Sequence, residues 1–212
     1  MKILCIAKNY PDHVAEMQQA SRATVDHQQL PEPVFFLKPD SALLQKDMPF
    51  FYPDFSNDIN YELEVVVRIN KVGKSIEERF AHKYYDEVAL GIDFTARDLQ
   101  RKAKEAGRPW ALSKGFDGSA VLSDFVPLAQ LGKPVMNLDF ALRKNGEQVQ
   151  CGNTSQMIHS VDRQIAYLSQ FMTLKNGDLI YTGTPSGVGP IAIGDTLTAT
   201  LEGQHLLTCR IK

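Results

Sequence analysis

Cysteine is scarce in this chain. Cys5, Cys151 and Cys209 are the three in 212 residues, and none forms a CxxC pair. An odd, scattered set excludes a disulfide framework and a zinc ribbon, and reads as reduced thiols in a cytoplasmic protein. An excess of charge of one sign is also missing: 23 Lys and Arg face 25 Asp and Glu. No broad basic field exists to hold nucleic acid or an anionic membrane. Long apolar runs are absent too. The N-terminal run Ile3 to Ala7 is shorter than the ~7–15-residue core of a signal peptide. The charge-free stretch between Asp178 and Asp195 is broken by Gly183, Pro185, Gly187, Gly189 and Pro190. It reads as turns, and as no membrane span. No repeat, low-complexity tract or linker appears. No GxGxxG, GxxxxGK[ST] or GxSxG occurs, which removes the commonest nucleotide-binding and serine-hydrolase signatures.

What is present reads as one domain over residues 1–212, below the ~250 residues at which single cores stop growing. Strands are expected at Lys2 to Ala7, at Val34 to Leu37 (short and buried), at Tyr61 to Ile69 and at Val88 to Ile92. Asn145-Gly146 is the strongest hairpin signal, flanked by strands. Short strands separated by Gly-rich turns fill the last third. Helices are expected at Pro11 to Ala23, Thr95 to Ala106 and Val161 to Phe171. Many strands against few helices predict a β-rich α+β fold.

The chemistry gathers at acidic positions. Glu62 and Glu64 lie two apart in a strand-like run, so their side chains share a face. Alone, this pair also fits a solvated strand face. Asp93 ends the apolar run Val88 to Ile92 and sets a third carboxylate at a strand tip. Three carboxylates without His or Cys suit a hard cation with oxygen ligands. Magnesium is the default, with manganese or calcium as substitutes. His13 and Glu16, three apart on a helix, fit a surface ion pair or a water-activating dyad. Lys114, among small and aromatic residues, could stabilise an enolate or a carboxylate. The Thr182-Gly183-Thr184-Pro185 turn carries hydroxyls and amides suited to a carboxylate.

Seven fragments occur in one order: Asn9-Tyr10-x-x-His13-x-x-Glu16, Phe35-Phe36-Leu37-Lys38-Pro39, Tyr61-Glu62-Leu63-Glu64, Gly91-Ile92-Asp93, Arg97-Asp98-Leu99-Gln100, Lys114-Gly115-Phe116-Asp117, and the run from Gly177 to Pro190. Together they resemble the fumarylacetoacetate hydrolase family, over nearly the whole chain. The likeness is to its short acylpyruvase or fumarylpyruvate hydrolase-like subgroup, without the extra N-terminal domain of larger members. It implies a mixed β-roll or β-sandwich catalytic domain with a few flanking helices, usually a homodimer. It implies metal ligands at Glu62, Glu64 and Asp93, and a His13–Glu16 dyad on a segment that closes over substrate. Gln100, Lys114 and Thr184 would contact a 2-oxo acid, with Arg97 supporting the site. Two departures stand out: Ala7-Lys8 precedes Asn9-Tyr10 where the family often has Gly one residue earlier, and Glu202-Gly203-Gln204-His205 replaces Glu-Gly-Leu-Gly.

The activity so implied is hydrolysis of a C–C bond in an acylpyruvate or fumarylpyruvate, giving pyruvate and a carboxylic acid through a metal-stabilised enolate. The alternatives share that enolate: decarboxylation of oxaloacetate, and isomerisation of a 2-hydroxyhepta-2,4-diene-1,7-dioate type of diacid. A protein that binds metal or keto acid without catalysis is the reading from a different class. The polar segment over residues 17–32, next to the dyad, is expected to act as a lid.

Overall fold

Period-two alternation and β-branched runs build most of this chain into sheets. The structure, a computed structural model, describes residues 1–21 and 31–212. The expected lid over 17–32 falls for the most part outside these residues. In chain order the strands are Ile3–Ala7 (β1), Val34–Lys38 (β2), Ile59–Tyr61 (β3), Leu63–Arg68 (β4), Glu87–Asp93 (β5), Thr95–Ala96 (β6) and Ala120–Leu122 (β7). Val126–Pro127 (β8), Asp139–Lys144 (β9), Glu147–Asn153 (β10), Leu179–Tyr181 (β11), Gly189–Pro190 (β12), Thr196–Leu201 (β13) and Gln204–Arg210 (β14) follow. The helices are Pro11–Ser21 (α1), Arg97–Glu105 (α2), Ala111–Lys114 (α3), Leu128–Leu131 (α4) and Val161–Phe171 (α5). The expected β-rich α+β class is found. No helix of the described residues is long and apolar enough to cross a membrane.

The main sheet runs β2-β1-β11-β4-β5-β7, with β8 added beside β5. Only the β1–β11 pair within it is parallel. A second sheet has the order β10-β9-β13-β14, and β12-β3-β6 form a small third one. The Asn145-Gly146 turn joins β9 to β10, with both residues at positive φ, as a tight hairpin requires. Both faces of the main sheet are covered. Val65, Val67, Leu90 and Ile92 point into the large core, and Val66, Ala89, Ile3 and Cys5 into a smaller cluster on the opposite face. Each fully buried Val, Leu or Ile contributes roughly 1.5–3 kcal/mol.

Two expectations change. Val34 to Leu37 is no buried strand: β2 is the edge of the main sheet, and Val34 and Leu37 are exposed. Four apolar residues in a row look buried on both faces, but an edge strand is covered on only one side of its ladder. The single strand expected over Tyr61 to Ile69 is divided. β3 belongs to the small sheet and β4 to the main one, with Glu62 at the junction. That break places an acidic residue where two sheets part.

Candidate active site

Strand register brings the three carboxylates together. In the β4–β5 ladder Glu64 lies opposite Gly91 and Leu63 opposite Ile92. The ladder continues one step: the Asp93 N–H donates to the Glu62 carbonyl at 2.9 Å. Residues directly opposite in an antiparallel pair share a face, as do residues two apart on one strand. Glu62, Glu64 and Asp93 therefore project together from the face that carries Val66 and Ala89. All three are buried, and one oxygen from each lies within 4.8 Å of the others.

Three cations answer them. The Lys114 ammonium, at the end of α3, donates to Glu62 Oε2 (2.8 Å), Asp93 Oδ2 (2.6 Å) and Thr95 Oγ1 (2.6 Å). Burial alone would lower the pKa of Lys114, but Asp93 and Glu62 outweigh it and hold it above its ordinary value. Arg97, the first residue of α2, donates from Nη2 to Glu62 Oε1 (2.6 Å) and from Nη1 to Gln100 Oε1 (2.7 Å). Burial pushes Glu62 up, yet Lys114 and Arg97 prevail and hold it well below the usual carboxylate range.

The third cation is Lys38, at the end of β2, which the sequence reading quoted in a motif but assigned no role. Its ammonium is fully buried and lies 2.8 Å from Asp93 Oδ1. It donates to the carbonyls of Lys114, Phe94 and Ser119 and to the Ser119 hydroxyl. Lys38 thus ties the backbone around Lys114 to the tip of β5. Its signal was visible as a lysine ending an apolar strand, where a charge is buried only with partners. Replacing it removes the cation beside Asp93 Oδ1, which accepts no other hydrogen bond among the described residues, and takes away the Lys38 donor to the Phe94 carbonyl. Lys38→Met is expected to cost about 3–5 kcal/mol, read as a lowered denaturant midpoint. A midpoint equal to wild type would show that Lys38 does not anchor the site.

Among the described residues Glu64 has no cationic hydrogen-bond partner. Its Oε2 accepts from the Gly183 N–H at 2.6 Å. Burial, then the negative charges of Asp93 and Glu62, push its carboxyl well above the usual range. Gly183 sits at φ 102°, and a Cβ there would lie 2.7 Å from that of Asn9, so glycine is required. Asn9 is itself locked, donating to the His159 and Thr182 carbonyls and accepting from the His159 N–H.

His13 and Glu16 form a real pair, and His13 is buried. Pro11 starts α1 with its fixed φ, and the three-residue spacing sets His13 Nδ1 3.2 Å from Glu16 Oε2. Both Glu16 oxygens also accept from the Gly187 N–H at 3.1 and 3.2 Å. Burial raises the Glu16 pKa, but the His13 and Gly187 hydrogen bonds reverse that and leave it below its ordinary value. The Gly-rich run after β11 therefore holds carboxylates, as its chemistry suggested. They are the protein's own Glu64 and Glu16. Thr184 is buried beside them, its hydroxyl accepting from Gln150 Nε2 at 2.9 Å. Gln150 was not anticipated. Its Oε1 accepts from the Leu63 N–H and its amide also reaches the Pro185 carbonyl, so it joins β4 to the Thr184 turn.

One cavity of about 400 Å³ gathers the pieces. Its walls include His13, Glu62, Glu64, Asp93, Arg97, Gln100, Lys114 and Thr184, with Phe36 and Trp110 as aromatic cover. The size and mixed lining suit a small acid. Eight of the nine residues expected at the site line this cavity; the ninth, Glu16, touches it through His13.

The donor set fits a divalent cation. All ligands are carboxylate oxygens, the preference of a hard ion. Asp93 Oδ1, though within ion-pair reach of Lys38, accepts no hydrogen bond of good angle. Glu64 is driven toward protonation by burial and then by its like-charged neighbours Asp93 and Glu62, and a cation among the three carboxylates would offset both.

The family model for the fumarylacetoacetate hydrolase C-terminal domain matches residues 2–212. The chain belongs to the fumarylacetoacetate hydrolase family. It is 40% identical to the oxaloacetate tautomerase YcgM of Escherichia coli, over 99% of this chain and 92% of that protein. It is 41% identical to the mitochondrial oxaloacetate tautomerase FAHD1 of Bos taurus, over 95% and 87%. A solved fumarylpyruvate hydrolase from Pseudomonas aeruginosa, in complex with Mn2+ and pyruvate, superposes with a TM-score of 0.90. It is 34% identical, over 100% of this chain and 89% of that one. The family and its fold are thus as the motifs implied. The relatives named for oxaloacetate support the alternative reading, chemistry on oxaloacetate, better than acylpyruvate hydrolysis.

Proposed function

We propose that this protein is a divalent-metal-dependent enzyme that interconverts the enol and keto forms of oxaloacetate. The observation that carries the reading is a proton-transfer pair and a buried acid–base cluster facing one small cavity. Enolisation needs a base at carbon and positive charge at oxygen. It needs no room for an attacking water. The 40% identity to an oxaloacetate tautomerase over nearly the whole chain supports the substrate. The manganese and pyruvate bound to the Pseudomonas relative support a cation and a 2-oxo acid.

Glu62, Glu64 and Asp93 would hold the cation, which when bound polarises the 2-oxo acid head as a Lewis acid. The residues of the chain do the rest. Glu16, ionised, accepts only, so His13 Nδ1 carries the hydrogen and Nε2 is left as the base. His13 removes the proton from C3 in the keto-to-enol direction and returns it in the reverse, while the 2-oxygen takes its proton from solvent as the enol leaves and gives it up to solvent as the enol binds. Lys114 places a fixed positive charge where negative charge develops on the 2-oxygen. Gln100 spends its carbonyl on Arg97 and keeps its NH2 for a carboxylate. The Thr184 hydroxyl, accepting from Gln150, keeps its own hydrogen to donate. Three buried carboxylates balance three buried cations, so a bound divalent ion leaves two positive charges for an anionic substrate.

Three assays run in parallel test this: loss of the enol absorbance of oxaloacetate, pyruvate release from oxaloacetate, and pyruvate release from acetylpyruvate, each with magnesium and with chelator. Chelator-sensitive tautomerisation is expected to dominate. Faster pyruvate release from oxaloacetate would make decarboxylation the main reaction. Acetylpyruvate turnover above both would restore the hydrolase. Silence in all three would favour a binding protein without catalysis.

A further inference from the structure

At the mouth of the cavity, Lys8 and Lys104 stand on the wall with no role in the chemistry above. Lys104 continues the face of α2 that carries the site. Arg97, Gln100 and Lys104 lie at i, i+3 and i+7, on one side of the helix, and the first two are buried against the acid cluster. The Lys104 ammonium lies 5.4 Å from the centre of the Trp110 ring, which fixes its long stem against an aromatic wall. Lys8 follows β1 and lines the same cavity. Its backbone is left-handed, at φ 59°, between β1 and the locked Asn9.

Among the described residues neither lysine has a carboxylate within ion-pair distance, although Glu105 also lines the mouth. The Lys104 ammonium is instead destabilised. Burial lowers its pKa first, then the like charges of Arg97 and Lys8, with Glu62 pulling the other way. Two cations on the wall of one cavity, coupled to each other and to Arg97 and without an ion-pair anion among the described residues, form a ready receptor for one.

We propose that Lys104, assisted by Lys8, binds the second carboxylate of a 2-oxo diacid and makes the site selective for acids with a carboxylate at the far end over acids that carry the head alone. The proposal rests on the 2-oxo acid reading of the same cavity. The head of the substrate lies at the acid cluster and its far carboxylate reaches the mouth, so the two ends are read by different residues. The departure from the family pattern before Asn9 falls at this receptor: Ala7 and Lys8 both line the cavity. Lys104 is a specificity residue and does not take part in the proton transfer.

Calorimetric binding of two inert acids to the magnesium-loaded protein separates the ends. Oxalate mimics the head alone, whereas malate carries the extra carboxylate at the far end. Lys104→Gln is expected to weaken malate by about fivefold or more and to leave oxalate within about twofold. Lys104→Met, which keeps an apolar stem against Trp110 without the charge, should weaken malate as much as Lys104→Gln, which a merely lost stem contact would not explain, and Lys104→Arg should restore malate. In kinetics Lys104→Gln should raise KM for oxaloacetate and spare kcat. Equal weakening of both acids, or of neither, would overturn the receptor. A wild-type protein that does not act on oxaloacetate but keeps the malate–oxalate split would overturn the tautomerase reading and support the receptor.

Discussion

Glu64→Gln is expected to abolish tautomerase activity and divalent-metal binding while leaving the protein folded. The reason lies in the asymmetry of the cluster. Glu62 is held by Lys114 and Arg97, and Asp93 by Lys114 and Lys38, so removing either carboxylate orphans buried cations. Among the described residues Glu64 has only the Gly183 N–H, and a glutamine oxygen can accept that hydrogen bond. The substitution also relieves like-charge repulsion from Asp93 and Glu62. The metal-free variant should therefore melt within a few degrees of wild type, or slightly above it. Losing one of three ligands removes several kcal/mol of charge stabilisation, a rate loss of about a thousandfold or more. Metal calorimetry, turnover and a thermal melt on one preparation give the answer. A variant that binds the full metal load and turns over normally would sink the assignment of Glu64 as a ligand.

His13→Asn should lower tautomerisation by roughly a hundred- to ten-thousand-fold, the usual worth of a positioned general base. Pyruvate release from oxaloacetate should fall far less, because loss of CO2 takes no proton from C3. Metal binding should be unchanged, since His13 contacts Glu16 and none of the three carboxylates hydrogen-bonds it. Equal loss of both reactions would show that His13 holds the substrate or the fold and does not move the proton. Glu16 adds a direction in pH. Its carboxyl lies below its ordinary value, so the anion that orients His13 persists as pH falls through the usual carboxylate range. It disappears only as pH drops below that lowered value.

Much of this was legible in the chain. The strand tip at Asp93, the hairpin at Asn145-Gly146 and the helix Val161–Phe171 follow from local pattern, because apolar periodicity and turn chemistry act over a few residues. Glu62 and Glu64 could be paired because a strand repeats every two residues, and His13 and Glu16 because a helix returns after three or four. Ordered motifs across the whole length pointed to the family. Their meaning for the reaction was less determinate, since hydrolysis, decarboxylation and diacid isomerisation pass through the same kind of enolate and call for the same carboxylate cluster.

Other features were settled only by the fold. Whether Glu62 and Glu64 were solvated or buried depended on which face the β4–β5 register turned inward, and Asp93 joined them through pairing across the ladder. Lys38 and Lys114 are 76 residues apart, yet one ammonium holds the backbone carbonyl of the other. Gln150 reaches Leu63 and Thr184 from a different sheet. Val34 to Leu37 looked buried because an apolar run carries no mark of lying at a sheet edge. Local sequence dictates period, turns and helix faces. Which strand neighbours which, and so which charges must share a dry cavity, is decided by long-range packing.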